Sequence, residues 1–365
     1  MPGTKTKRGK NQWQLQVTCG TDLNGKPLRY TKTFHGTARE ANAELSKFYS
    51  ACSQGKVNRA SAMTISQAAY EYLKEGTAHL KKSSYARTES IIRVWIVPNI
   101  GKKKLNNFKR SDVQKFINSI DKSPKTVRCI YSVLSAVCRY ALDMQYIEDT
   151  PCKMIRFPKL NKKESLYYTD DEIKQILSHT EDLRLKAIIY LAFFGGLRSS
   201  EICGLEWDCI HFDSNYIEIK QILMESKGEG QYIDTPKTES SKRSIAMPQE
   251  VMDTLQELFN EQLHTEYPHI CNSVIRRDIG SPATGNYLRN ILKIHLKNIG
   301  VEYKGVHAFR HSHTSVLSSL DGIELKQISE RLGHSQLSTT LNIYTHLFKN
   351  KDDIIVDKLS DYLKN

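Results

Sequence analysis

Residues 193–207 read FFGGLRSSEICGLEW. An apolar run from Ala187 to Leu197 passes through two glycines, and Arg198 follows at the point where a helix is expected to stop. A cation there has two physical readings. It can face the negative end of the helix dipole from the surface, the common role of a basic residue at a helix C-terminus. It can also hold a planar fork of donors toward an anion such as a phosphate, a geometry that lysine does not reproduce. The rest of the chain decides between them.

A chain of 365 residues has room for two or three domains, and 39% apolar with 25% charged residues is the balance of ordinary globular folds. The apolar run at 187–197 is far short of the roughly 20 residues that a membrane crossing needs, and the N-terminus MPGTKTKRGK lacks the apolar stretch of a signal peptide. A cytoplasmic protein without membrane contact is expected. The eight cysteines contain no CxxC pair, which suits reduced thiols rather than disulfides or a zinc cage, and Cys203 and Cys209 read as small core residues.

Charge is unevenly spread. The net +13 divides into 11 basic and 3 acidic residues over 1–60, 18 and 8 over 61–160, and 24 and 29 over 161–365. All the excess positive charge therefore lies in the first 160 residues, the footprint of a polyanion binder. No basic amphipathic helix carries a Trp/Phe/Leu face suited to lipid, so nucleic acid is the favoured polyanion.

Residues 12–20, QWQLQVTCG, alternate with Trp13, Leu15, Val17 and Cys19 on one face of a strand. Asn24-Gly25 supplies a hairpin turn to a strand with Leu28 and Tyr30, and Thr37 with Glu40 forms a capping box opening a helix through Leu45 and Phe48. After a polar linker at 54–62, helices are expected over 65–80, 85–97, 111–120 and 124–144, with VPNIGKKKL as a lysine-bearing loop. Residues 149–163 read as an extended connector. A third region opens with the capping box Thr169 to Glu172, whose carboxylates suit the helix dipole better than a metal. It continues with a buried helix at 185–194 and short strands in IHFD, YIEIKQ, QYIDTP and RSIAM. It is helical again from Gln249 to an amphipathic end, DDIIVDKLSDYLKN. The expected fold is multidomain: a small α+β unit with a three-stranded sheet and a helix (1–55), an all-α bundle (62–150), and a mixed, mainly α domain with a small antiparallel sheet (165–365).

Four features of the last region share one context: Arg198 behind the glycines, Lys237 in PKTESSKR, His307 and Arg310 in HAFRHSHTS, and LGHSQLSTTLNIYTH with His334 and Tyr344. Each alone is weak, since HxxR arises by chance and a lone Tyr is usually core. In this order they resemble the tyrosine recombinase (phage integrase) family. Arg198 stands in its GLRxSE-like turn with Glu201 behind it, Lys237 in its hairpin, His307 and Arg310 in its HxxR, His334 in its LGH, and Tyr344 ten residues on at the nucleophile position. The segment VPNIGKKKLNNFKRSDVQKFI resembles the core-site-binding helical domain, and the N-terminal sheet and helix resemble the arm-site-binding domain of conjugative-transposon and related phage integrases. Asp149-Thr150-Pro151 departs from the family's usual Asn-Pro.

The chemistry accounts for the residue types. Attack on a phosphodiester spreads negative charge over its non-bridging oxygens, and two arginine forks answer it. A phenol of pKa about 10 is protonated at neutral pH and needs a base, for which His307 is the candidate. The resemblance implies that Lys237 protonates the departing 5′ oxygen, that His334 donates to the phosphate, that Glu201 orients the cluster, and that Tyr344 forms a 3′-phosphotyrosine. It implies integration and excision of a mobile element, with double-stranded core and arm sites as partners. A tetramer of protomers on DNA, an excisionase and a host DNA-bending protein would accompany them. No cofactor or metal is expected, for the chain has neither a GxxxxGK[ST] loop nor a recognisable carboxylate cluster for two metal ions. Expected DNA contacts are Trp13, Arg29 and Lys32 on the sheet and Lys102, Lys103 and Lys104 in the loop. The rivals are a type IB topoisomerase-like enzyme, an inactive regulator of the same fold, and a zinc hydrolase using His307 and His311. The last lacks its general base, because position 308 is Ala.

Overall fold

The alternation at residues 12–20 becomes β2 (Gln12–Thr21), the middle strand of an antiparallel sheet with β1 (Gly3–Gly9) and β3 (Pro27–His35). The structure is a computed structural model, and it describes residues 3–21, 27–53, 63–160, 166–226, 230–235, 242–264, 271–320 and 322–333. The expected Asn24-Gly25 turn lies outside the described residues, as does the C-terminal segment DDIIVDKLSDYLKN. The chain divides into two compact units, Met1–Asn161 and Lys162–Asn365.

In the first unit, Leu15 and Val17 are fully buried against Ala41, Leu45, Phe48 and Cys52 of α1 (Ala38–Ser53). The helix starts at the expected capping box: Thr37 Oγ1 accepts the Glu40 amide at 3.4 Å, and the Glu40 carboxylate accepts the Thr37 amide at 2.8 Å. Antiparallel register places Lys32 opposite Leu15 and Arg29 opposite Thr18. Paired residues share a face, so Trp13 and Lys32 lie on the side that α1 covers, and Arg29 lies on the open side.

A second, separate apolar core in this unit gathers Ile65, Ile92, Ile96, Leu134 and Val137. It is built from α2 (Ile65–Glu71), α3 (Lys82–Ile91), α4 (Val97–Ile100), α5 (Arg110–Asn118) and α6 (Pro124–Asp143). Two boundaries differ from the sequence reading. The first helix extends by a π turn only to Gly76, because the Thr77 hydroxyl donates to the Leu73 carbonyl at 2.6 Å and closes it before Leu80. A π turn at Ile92–Ile96 carries the next helix through Val97, Pro98, Asn99 and Ile100, so the expected loop begins only at Gly101. Pro98 is tolerated because it falls in the first turn of α4, where its missing N–H costs least.

The second unit is organised around α8 (Leu183–Phe193), which follows α7 (Asp170–Ser178) and buries Ala187, Ile188, Ile189, Leu191 and Ala192 completely. A short α9 (Ser199–Cys203) comes next, and β4 (Ile210–His211), β5 (Tyr216–Ile219) and β8 (Arg243–Ala246) form an antiparallel sheet. Where the sequence suggested one strand over 216–221, the chain breaks after Ile219. A new strand, β6 (Ile222–Ser226), pairs instead with β7 (Gly230–Asp234). Gly204 permits this: a Cβ there would lie 2.7 Å from the Leu223 nitrogen and 2.8 Å from the Ile222 Cα. The hairpin backbone thus rests directly on the end of α9. The long helices α10 (Gln249–Leu263), α11 (Gly285–Asn298) and α12 (Val306–Ser319) complete the core, and α13 (Leu325–Leu332) ends in the left-handed Gly333. Among the described residues, no helix is long and apolar enough to cross a membrane.

Candidate active site

Arg198 does not seal the C-terminus of α8. It is the residue before α9, the positive end of a helix dipole, where a cation gains nothing from the dipole. Its partner is a side chain: Nη1 donates to Glu201 Oε1 at 2.6 Å, while the Arg198 amide donates to Glu201 Oε2 at 2.9 Å. About a third of the Arg198 side chain stays exposed, and Glu201 is 2% exposed.

Glu201 gathers two more guanidiniums. Arg243, 7% exposed, grips it with both forks, Nη1 to Oε1 at 3.2 Å and Nη2 to Oε2 at 3.1 Å. Arg310, 2% exposed, brings Nη1 to 4.0 Å from Oε2. Burial alone would raise the Glu201 carboxyl, but Arg243 and Arg198 outweigh it and hold the group below its ordinary value. Burial, with repulsion from Arg198, lowers Arg310 to about 9, so it remains a cation at neutral pH.

The same arginines cap α13. Arg243 Nε donates to the Arg331 carbonyl at 2.7 Å, Arg310 Nη2 to that of Leu332 at 2.7 Å, and Arg198 Nη2 to that of Gly333 at 3.4 Å. Three successive carbonyls at a helix C-terminus, which have no partner within their own helix, thus find donors on three distant segments. Arg310 Nη1 also donates to the Gly196 carbonyl at 2.6 Å. Gly196 adopts φ +61°, and a Cβ there would lie 2.8 Å from Leu332 Cδ2 and 2.9 Å from His313 Cδ2, so both conformation and space require glycine.

Of the residues expected from the sequence, Arg198, Glu201 and Arg310 come together, and His307 lies one turn before Arg310 on α12 with its ring 4.9 Å from that of His311. Burial, then His311, Arg310 and Arg198, lowers His307 to about 4, so it is neutral at pH 7 and a weaker base than an ordinary imidazole. Lys237, His334 and Tyr344 lie outside the described residues. In the first unit, Trp13 donates its indole N–H to the Gly36 carbonyl at 3.0 Å, Lys32 pairs with Glu44 at 2.6 Å, and Lys103 pairs with Asp112 at 2.5 Å. Arg29, Lys102 and Lys104 are exposed. Among the described residues, no group of three or more His, Cys, Asp or Glu side chains is placed to hold a metal ion.

Sequence reasoning missed Arg243, Arg331 and His313. For Arg243 a signal existed: along RSIA it shares a strand face with the buried Ile245, a place where a cation needs a buried partner. Arg331 Nη2 donates to the Phe194 and Ala246 carbonyls at 2.9 and 3.0 Å, and its Nε lies 3.4 Å from His313 Nε2.

Burial, then Arg331 and Arg310, pushes His313 down to about 3. The folded value is below the unfolded one of about 6.5, so its stabilising effect is complete above that pH and is lost as pH falls from there toward 3. Between pH 7 and pH 5 this residue should cost the fold about 2 kcal/mol. Urea unfolding of the wild type and His313→Gln at both pH values measures it: the variant's stability should fall less by that amount, and equal slopes would refute the assignment.

Residues 167–351 match the phage integrase family, and residues 64–120 match the phage integrase N-terminal SAM-like domain. A tyrosine recombinase XerC-like protein of Caldanaerobacter subterraneus subsp. tengcongensis is 30% identical, over 97% of this chain and 97% of the relative. The ICEBs1 integrase of Bacillus subtilis is 26% identical over 98% and 99%. The fold is similar to that of the Tn1549 transposon integrase solved in complex with transposon right end DNA, with a TM-score of 0.72 and 23% identity over 82% of this chain and 100% of that one. It is also similar to a lambda integrase dimer bound to a core site, with a TM-score of 0.61 and 16% identity over 95% and 96%.

Proposed function

The chain belongs to the phage integrase family, and from that premise we propose that Arg198 and Arg310 clamp the scissile phosphate, with Glu201 as the carboxylate that holds both in place. The protein is a tyrosine-type site-specific DNA recombinase, an integrase of a mobile element, and its partners are double-stranded DNA and further copies of itself. One observation carries the assignment of the clamp: guanidiniums from three separate segments converge on one buried carboxylate, and one of them, Arg198, keeps an exposed edge. Such preorganised donors serve charge that develops during reaction, because they need no reorganisation when it appears.

The Tyr344 oxygen attacks phosphorus, the bond to the 5′ oxygen breaks, and the energy of that bond is kept in the phosphotyrosine until the free 5′ hydroxyl of a partner strand reverses the step. His307, neutral at working pH, takes the phenolic proton once the negative charge of the bound phosphate offsets the burial and the cations that weaken it as a base. Lys237 protonates the departing oxygen, and His334 donates to the phosphate. The reaction takes place in the cytoplasm within a tetramer, and an excisionase and a host DNA-bending protein set its direction.

Three domains share the work: residues 1–55 bind arm sites, 62–150 core sites, and 165–365 carry the chemistry. The separate apolar cores of the sheet and the helical bundle support that division. The open sheet face, with Arg29 beside Gln14, Gln16 and Thr18, is the one free to enter a major groove, while Trp13 and Lys32 support it from beneath. Lys102, Lys103 and Lys104 grip the core-site backbone. One experiment tests both readings. Full-length protein and a chain lacking residues 1–60 are incubated with a nicked core duplex from the element's ends, in EDTA, and run on a denaturing gel beside gel shifts on arm duplexes. Both proteins should form the covalent adduct, and only the full chain should shift arm DNA. Absence of any adduct in EDTA would refute the metal-free tyrosine chemistry, and arm binding by the truncated chain would refute the division of sites.

A further inference from the structure

Arg243 belongs to none of the residues the phosphate clamp requires, yet it joins the elements that carry them. It is the first residue of β8, six positions after Lys237. Its Nη1 and Nη2 hold both oxygens of Glu201, and its Nε holds the Arg331 carbonyl on α13, two residues before Gly333. From the structure we infer that Arg243 is a positioning residue for strand cleavage, fixing Glu201, Arg198 and the C-terminal end of α13 in one frame.

A carboxylate with two partners on one side can still rotate about its last bond, and each rotation moves the Arg198 fork that depends on it. A second, bidentate fork removes that freedom. Arg198 Nη1 and Arg243 Nη1 share Oε1, while Arg243 Nη2 and the Arg198 amide share Oε2, so the two arginines set the carboxylate plane together. Strand β8 is itself fixed in register, with Ile219 opposite Arg243 and Ile217 opposite Ile245, which gives the fork a rigid base. Lysine would keep the charge and lose the second donor.

The inference rests on the recombinase reading, and its test separates the two. Single-turnover cleavage of a nicked core duplex, the Kd for that duplex and the melting temperature are measured for wild type, Arg243→Met, Arg243→Lys, Glu201→Gln and the Met/Gln double variant. Arg243→Met should cleave about 10- to 100-fold more slowly, the usual loss when a residue that orients a site's primary ligands is removed, with Kd unchanged within about 3-fold. Arg243→Lys should recover part of the rate. The double variant should be no slower than the slower single one, because both act through the same carboxylate. Arg243→Lys is read alone if Arg243→Met does not fold, and it should still cleave more slowly than wild type at unchanged Kd. Wild-type rates in folded variants, or losses that multiply in the double variant, would overturn the inference. A wild-type protein that forms no adduct sinks the recombinase reading instead.

Discussion

Replacing Tyr344 by Phe is expected to abolish covalent attachment to DNA while leaving affinity for a core duplex unchanged. The substitution deletes one oxygen and keeps the ring, so whatever packing the side chain makes is retained and only the nucleophile is lost. Among the described residues of the proposed site none can replace it: the arginines are cations, and the neutral His307 would give a labile phosphoramidate rather than a stable tyrosyl ester. On a nicked suicide duplex, wild-type protein should accumulate a band of retarded mobility in denaturing gels, and the variant should show none over hours of incubation. A band from the variant at any appreciable rate would mean that a different residue attacks.

Glu201→Ala should be the most damaging change to stability in the second unit. It removes the shared carboxylate from Arg198, Arg243 and Arg310, two of them more than nine-tenths buried, and leaves like charges facing each other across a small cavity with backbone carbonyls among their remaining partners. Breaking a buried pair on one side costs about 3–5 kcal/mol, against the 5–15 kcal/mol that holds a typical domain together. Much of the variant should therefore be insoluble or open at 37 °C, and the soluble part should not cleave. Glu201→Gln, which keeps an acceptor oxygen and the shape, should lose less. Chemical denaturation of the three proteins gives the order directly, and an alanine variant as stable as wild type would show that the cluster is solvated rather than buried.

Much of this was readable in the chain because short-range patterns are enforced by local geometry. The alternation at 12–20, the capping boxes at Thr37 and Thr169, and the apolar helix before Gly195 all appear in the structure where periodicity put them. Glu201 was placed behind Arg198 by the family resemblance alone, and its hydrogen bonds to Arg198 come from the turn into α9. What stayed hidden depends on other segments. The break between β5 and β6 depends on the close approach of Ile222 to Gly204, and the role of Arg243 on a carboxylate 42 residues earlier. Alternation along β3 could have separated Arg29 from Lys32, but only strand register shows which of them lies on the α1 side of the sheet.

The arginine cluster also bears on how the chain reaches its folded state. Its hydrogen bonds join residues 42, 88, 114 and 135 apart, so it closes several of the longest loops in the second unit at once. Each guanidinium that enters the interior before Glu201 meets it carries an unpaid desolvation penalty, so partial versions of the cluster are poor intermediates. The cluster should form late and in one concerted step, after α8 and its helical neighbours have excluded water. A chain stalled short of that step has no clamp, however much of its secondary structure is in place. For an enzyme that cuts DNA, this makes the ability to break a strand a property of finished molecules only.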